Sequence, residues 1–277
     1  MKITSLICFL SLFAFLSSNA QSDSAIKGRI IEKLTDTPLE YVNIGVVGKG
    51  VGTVSNVKGE FFLNIPSSYD NDILKVSMVG YKSQEFVVSN FKSKIANDYN
   101  IFLEPKTEVI EEIAIVDSNL KSYTKGNNTT SKNFTVGFES DLLGNEIATK
   151  FKIRKRHTLL KELSISIGKN TYDTLSFRVN IYSVKNGKPG EILNKKNIIV
   201  TTTKKDSEVL LIDLLPYHIT LQENFFVSLE WIKDLEGGDL SFSAAFPGRT
   251  LYYKKTSHDN FQGVKGLGMG MQITYLQ

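Results

Sequence analysis

Through most of the chain, apolar residues alternate with polar ones in short runs that Gly, Asn, Asp or Pro cut off. The runs are rich in Val, Ile, Phe, Tyr and Thr, side chains that suit a pleated, half-buried surface. In the front half they predict strands over 26–32, 41–47, 52–55, 60–65, 73–79, 84–88 and 98–103, with a further extended run over 109–116. In the back half they predict strands over 149–155, 160–167, 175–183, 197–202, 209–214, 225–232, 240–246, 250–254 and 269–275. The stretch GTVSNVKGEF (52–61) sits at the centre of the front half, with Gly52 and Gly59 read as tight-turn positions and Asn56 able to share the left-handed backbone.

Between the two groups the pattern fades. KSYTKGNNTTSKNFT (121–135) holds little to bury, so 118–145 reads as a polar linker between domains over 21–117 and 146–277. Strands at this spacing without sustained helical periodicity predict an all-β protein: an N-terminal sandwich followed by a second sandwich of jelly-roll type.

Composition changes that picture at the N-terminus. Lys2, the apolar run 3–16 and the small residues Ser18 and Ala20 match a signal peptide over 1–20, giving a mature chain that starts near Gln21. The single cysteine, Cys8, lies within that leader, which leaves the mature chain no disulfide, thiol nucleophile or cysteine metal site. The net charge of +4 is too mild to suggest nucleic acid, and no later run has the length of a transmembrane helix. The mature protein is therefore expected to be soluble or peripherally attached.

Several marks stand in fixed order in the front half: Gly28, Thr37-Pro38-Leu39, Val42-Asn43-Ile44, Gly52-Thr53, Gly59-Glu60-Phe61 and Val79-Gly80-Tyr81. With these, residues 25–105 resemble the carboxypeptidase regulatory-like domain family. The resemblance implies a seven-stranded, transthyretin-like sandwich that is not itself catalytic. The family occurs beside zinc carboxypeptidases and, in Bacteroidetes-type Gram-negative bacteria, in TonB-dependent transporters and other envelope proteins. EVIEEIAIV (108–116) is similar to the segment that joins this domain to a transporter plug, but no plug or barrel follows. The back half, through LSFRVNIYSVKNGKPGEILNKKNIIV (175–200), is similar to extracellular jelly-roll modules, some of them carbohydrate-binding.

Candidate chemistry is sparse. His157, His218 and His258 are the only histidines and none stands in an HxxE or HExxH pattern, so the zinc peptidase that often accompanies this domain has no motif here. No G-x-S-x-G elbow is present, and His258-Asp259 reads as a surface loop pair. Asp213 and Glu230 are candidates for paired-carboxylate chemistry on a glycoside. Asp234, Glu236 and Asp239 in DLEGGDL could gather oxygens around calcium, although a solvated hairpin turn explains the spacing as well.

Trp231 shares a strand face with Phe225, Val227 and Leu229, a core pattern that competes with a sugar-stacking role. Tyr252 and Tyr253 follow the Pro247-Gly248 turn, where strand alternation lets at most one of them point outward. Lys150, Lys152, Arg154 and Arg156 fall on one strand face; they suit an anionic glycan, lipopolysaccharide or an acidic partner, or else protect an edge strand. Asp23-Ser24-Ala25 and Asp173-Thr174-Leu175 resemble a short O-glycosylation signal.

The expectation is a non-catalytic binding or adaptor protein of the cell envelope, periplasmic or at the outer-membrane surface, that contacts a glycan or an envelope protein through its second sandwich. It carries no cofactor, with calcium as the one candidate ion. The alternatives are a glycan or peptide hydrolase with carboxylates in the second sandwich, and a structural envelope scaffold.

Overall fold

The computed structural model describes residues 25–106, 120–138, 142–153, 157–206, 208–233, 235 and 237–277. The leader, the 108–116 segment, Arg154, Arg156, Asp234 and Glu236 lie outside the described residues.

The first body contains β1 (Ala25–Glu32), β2 (Asn43–Val46), β3 (Val51–Val54), β4 (Glu60–Asn64), β5 (Ile73–Ser77), β6 (Gln84–Val87) and β7 (Asn100–Leu103), with helix α1 (Val88–Asn97) before β7. They form a three-stranded sheet, β4-β1-β7, facing a four-stranded one, β3-β2-β5-β6, which is the seven-stranded sandwich the family resemblance implies. Ile30, Ile44, Leu74, Val76 and Ile101 fill the space between the sheets.

Helix α1 departs from the strand-only reading of the front half. Val88, Phe91 and Ile95 lie at helical spacing and are buried, and the Phe91 ring sits 6.3 Å from Phe61 and 5.4 Å from Phe86. The helix closes one end of the core, and it forms without a side-chain N-cap because that apolar stripe has the sandwich to pack on.

The second body begins with β8 (Ser122–Gly126), β9 (Thr135–Gly137), β10 (Glu146–Phe151), β11 (Thr158–Asn170), β12 (Leu175–Lys185), β13 (Lys188–Ile192), β14 (Ile198–Thr202) and β15 (Val209–Asp213). It continues with β16 (Thr220–Leu221), β17 (Phe225–Trp231), β18 (Leu240–Ala245), β19 (Leu251–Lys254), β20 (Gln262–Val264), β21 (Gly268–Met269) and β22 (Met271–Leu276). One sheet runs β13-β12-β17-β10-β19-β20 with β14 also on β12, and the other runs β21-β18-β11-β22-β8 with β9, β15 and β16 attached. The consecutive long strands β10, β11 and β12 cross from sheet to sheet, as the jelly-roll expectation requires.

Part of the stretch expected as linker belongs to this sandwich: β8 pairs with β22, and β9 with β18. Strand β10 ends at Phe151 and lies between β17 and β19, so Lys150 stands on an interior strand, and an edge-protecting role does not apply to it.

The two bodies pack together. Gly45 on β2 pairs in register with Gly52 on β3, and the carbonyl oxygen of Ser257, after β19, approaches both. A Cβ at Gly45 would lie 2.3 Å from that oxygen, and one at Gly52 2.5 Å. Gly52 is therefore not a turn residue. It is glycine because a second backbone passes over it, whereas Gly59, at φ +75°, does turn the chain.

Candidate functional site: the cleft between the sandwiches

Strand alternation sends Arg178, Asn180 and Tyr182 of β12 away from the second body's core, together with Ser228 and Glu230 of β17, Glu146 of β10 and Lys254 of β19. Register then places Arg178, Glu230, Glu146 and Lys254 side by side on four neighbouring strands, as cation, anion, anion, cation. On an ordinary sandwich this face would meet water. Here the first body contacts the Arg178–Glu230 end, Phe261 of the second body packs over Lys254 and beside Tyr182, and all four residues are buried.

Every carboxylate oxygen of the row has a partner. Arg178 Nε donates to Glu230 Oε2 at 2.9 Å, and Lys254 Nζ lies 2.5 Å from Glu146 Oε2. Asn180 Nδ2 bridges the two carboxylates, 2.8 Å from Glu230 Oε2 and 3.0 Å from Glu146 Oε1. The Tyr182 hydroxyl donates to Glu146 Oε2 at 3.1 Å, and Ser228 Oγ donates to Glu146 Oε1. From the first body, Asn43 Nδ2 donates to Glu230 Oε1 at 2.7 Å while its Oδ1 accepts from Arg178. The Tyr41 carbonyl, turned by a backbone at φ +59°, accepts from Arg178 at 2.8 Å. One neutral amide and one carbonyl thus join the front sandwich to an ion pair of the back one.

The environment fixes the charge states. Burial alone would raise Glu230, but Arg178, Lys254 and the hydrogen bonds hold it down to about 2. Burial and the neighbouring carboxylates push Tyr182 well above its usual value.

His258 corrects the surface-loop reading. Its Nε2 lies 3.3 Å from Ser77 Oγ and 3.4 Å from the Asn43 carbonyl, and the Gly48 amide donates to the His258 carbonyl at 2.9 Å. Burial between the bodies, with the Lys254 ammonium nearby, lowers its pKa to about 3. An imidazole held neutral in this way must take up a proton to unfold in mild acid. Stability is then complete above the ordinary histidine value near 6.5 and declines as pH falls toward 3, by at most about 1.4 kcal/mol per pH unit. Glu230 adds a loss in the same direction below about 4.5. Melting temperature followed from pH 7.5 to 5 is expected to fall in the native chain and to be nearly flat over that interval in His258→Asn. Equal slopes would remove His258 from the explanation.

Above the row opens a cleft of about 780 Å³. Lys75, Met78 and Tyr81 line it from the first body, and Ile192, Asn260 and Phe261 from the second.

The other residues singled out in the sequence do not converge here. Trp231 is buried in the core with Phe138 and Tyr172 edge-on, at 5.2 and 5.7 Å. Tyr252 packs edge-on to Phe226 at 5.0 Å, and the Tyr253 hydroxyl donates to Gln262. Lys150 lies over the Phe226 ring at 5.7 Å, while Lys152 is exposed. Asp239 is exposed and paired with Lys169 at 2.6 Å, and no group of three metal-ligating side chains occurs among the described residues. Asp213 is exposed, its carboxylate accepting from the Leu215 amide at 3.0 Å. His157 and His218 are exposed.

Comparison with known proteins bears on the first body. Residues 26–115 match the sequence model of the CarboxypepD_reg-like domain. Residues 26–115 are a CarboxypepD_reg-like domain. In this chain, that domain supplies Asn43, Gly45 and Gly52 to the interface with the second sandwich. The chain is also similar to the TonB-dependent receptor SusC of Bacteroides thetaiotaomicron, 29% identical over 178 residues. That match spans 64% of this chain and only 14% of the receptor.

Among solved structures, the infectious bursal disease virus VP2 subviral particle aligns over 91% of this chain and 62% of its own, at 10% identity and a TM-score of 0.28. The Gx strain of the same virus gives 11% identity over 91% of this chain and 60% of its own, at 0.27. Scores this low carry no conclusion about fold or function. Among the described residues, no helix is long and apolar enough to cross a membrane.

Proposed function

We propose that this chain is a non-catalytic binding or adaptor protein of the bacterial cell envelope, exported to the periplasm or outer-membrane surface of a Gram-negative cell. It contacts a glycan or a partner protein where the second sandwich meets the CarboxypepD_reg-like domain. The observation that carries the reading is that all four oxygens of Glu146 and Glu230 are occupied beneath an open cleft. A glycan hydrolase needs one carboxyl that keeps its proton at working pH and another free to reach substrate or water. Glu230 is held ionised, and both carboxylates are buried under their own partners. The similarity to a TonB-dependent receptor that carries this domain supports an envelope setting.

The cleft falls within the size range of ligand sites. Glycan-array screening and pull-down from envelope fractions with the full chain test the reading. Enrichment of a glycan or an envelope protein is expected, and it should weaken at least about tenfold in Asn260→Trp, an exposed position at the cleft where the indole would fill the space. No enrichment, together with hydrolytic activity that co-purifies with the protein, would replace this reading with the enzymatic one.

A further inference from the structure

The far end of the same sheet holds a second surface with different chemistry. Strands β10 and β19 leave the ion row at Glu146 and Lys254 and run to the pair Thr149–Leu251, where Leu251 also pairs with Val264 of β20. Just past that register the chain places Lys152, Arg249 and Lys265 at the ends of three adjacent strands. All three are exposed, and none of the three side chains has a carboxylate partner among the described residues.

The loops are tied together at the backbone. The Gly248 amide donates to the Gly266 carbonyl at 2.6 Å, and Asn127 Nδ2 donates to the Gly268 carbonyl at 3.0 Å. Segments 126–134, 245–251 and 262–270 contain no aspartate or glutamate. Two acidic side chains come near this end: Glu223, ahead of β17, and Glu208, which is paired with Lys132 of the first segment.

From this cationic end projects Phe246, 72% exposed, with its ring edge lying 3.0 Å from where a Cβ on Gly266 would stand. Val264 beside it is 42% exposed. A single exposed apolar side chain needs no explanation. A phenyl ring carried out on a Pro-Gly loop, and framed by cations with no carboxylate partner among the described residues, has a more specific chemistry. At the boundary between lipid headgroups and acyl chains, the ring can enter the apolar layer while the cations meet phosphate oxygens. A folded acidic protein suits this surface less well, because a projecting ring needs a matching pocket and a rim that excludes water. A lipid surface deforms around it.

We propose that this end of the second sandwich docks reversibly on an anionic lipid surface, with Phe246 as the inserted group and Lys152, Arg249 and Lys265 as the phosphate contacts. The contact is weak by itself, since each cation near such a surface is worth only about a fivefold change in partition. It orients the molecule with the ion row and cleft at the opposite end of those strands.

The test is co-sedimentation of the full chain with phosphatidylcholine vesicles, with and without about 30% phosphatidylglycerol. Binding is expected only with phosphatidylglycerol, and it should be released between about 50 and about 500 mM salt. Arg249→Gln with Lys265→Gln should weaken partition by about 25-fold, and Phe246→Ala by about tenfold. Phe62→Ala, an equally simple truncation of a ring 56% exposed on the first body, should leave partition unchanged. All of these positions are exposed, so an unaltered melting temperature separates lost contact from lost fold. Absence of binding to anionic vesicles would overturn the proposal. So would equal partition of native and Phe246→Ala protein, or binding to soluble polyglutamate that competes fully with the vesicles.

Discussion

Replacing Arg178 with methionine is expected to destabilise the folded chain by about 3–5 kcal/mol, measured by urea denaturation at neutral pH. The side chain is buried and supplies three hydrogen bonds, to Glu230, to the Tyr41 carbonyl and to the Asn43 amide oxygen. Removing it leaves Glu230 buried without the cation that does most to lower its pKa, with Lys254 as a second cation already engaged by Glu146. Leaving a buried charge without its partner is what makes the substitution costly, more than the intrinsic strength of the pair. Combining Arg178→Met with Glu230→Gln should recover much of the loss, because the uncharged amide can accept from Asn180 through its oxygen and donate its NH2 to the Asn43 Oδ1 that Arg178 vacates. A loss below about 1 kcal/mol for the single variant would mean that water reaches the row and that the cover provided by the first body is loose.

The second large effect is expected at Gly45. Valine suits a strand at this position better than glycine does, and Gly45 has no positive φ, so the CarboxypepD_reg-like domain itself should keep its fold. The new Cβ would nevertheless stand 2.3 Å from the Ser257 carbonyl oxygen, a backbone atom that cannot swing aside. Gly45→Val is therefore expected to separate the two bodies while leaving both folded, at a cost of about 1–3 kcal/mol. Small-angle scattering should show a longer particle. The His258 imidazole, released from between the bodies, should titrate near its ordinary value near 6.5 and no longer near 3. An unchanged His258 titration would show that the Gly45–Gly52 platform is not what admits the second body.

These two sites also mark where the sequence was legible and where it was not. The seven strands of the first sandwich followed from alternation and turn residues, and Trp231 was correctly placed in the core by sharing a face with Phe225, Val227 and Leu229. The same alternation puts Ser228 and Glu230 on the opposite face of that strand, but a periodicity of two separates two faces without saying what covers either one, so Glu230 reads from sequence as a candidate catalytic carboxylate and not as half of a buried ion pair. All seven residues of β17 are buried: one face meets the core, and on the other Phe226 packs with Tyr182, Tyr252 and Phe261 of its own body while Glu230 reaches Asn43 of the neighbouring domain.

A signal was available in β12, where Arg178 and Asn180 stand opposite Glu230 and Ser228, but it depends on register, which one strand alone does not fix. His258 follows the same logic: a polar loop residue becomes an interface residue only when a distant glycine pair opens a place for it. Helix α1 was within reach, because Val88, Phe91 and Ile95 have helical spacing, but the preceding strand pattern runs into it without a capping residue. The calcium expectation at Asp234, Glu236 and Asp239 rests on three carboxylates in a loop that two glycines let turn tightly; the described member, Asp239, is engaged with Lys169.

The ion row contains two cations and two anions, all from the second sandwich, and the front domain adds only an amide and a carbonyl to it. The back sandwich is thus electrically self-balanced along this seam, with or without its neighbour. Dissolved electrolyte should have little leverage on the joint, and the fit of surfaces there matters more than attraction between opposite signs. Mutual orientation of the two halves would then persist from dilute to strongly saline surroundings.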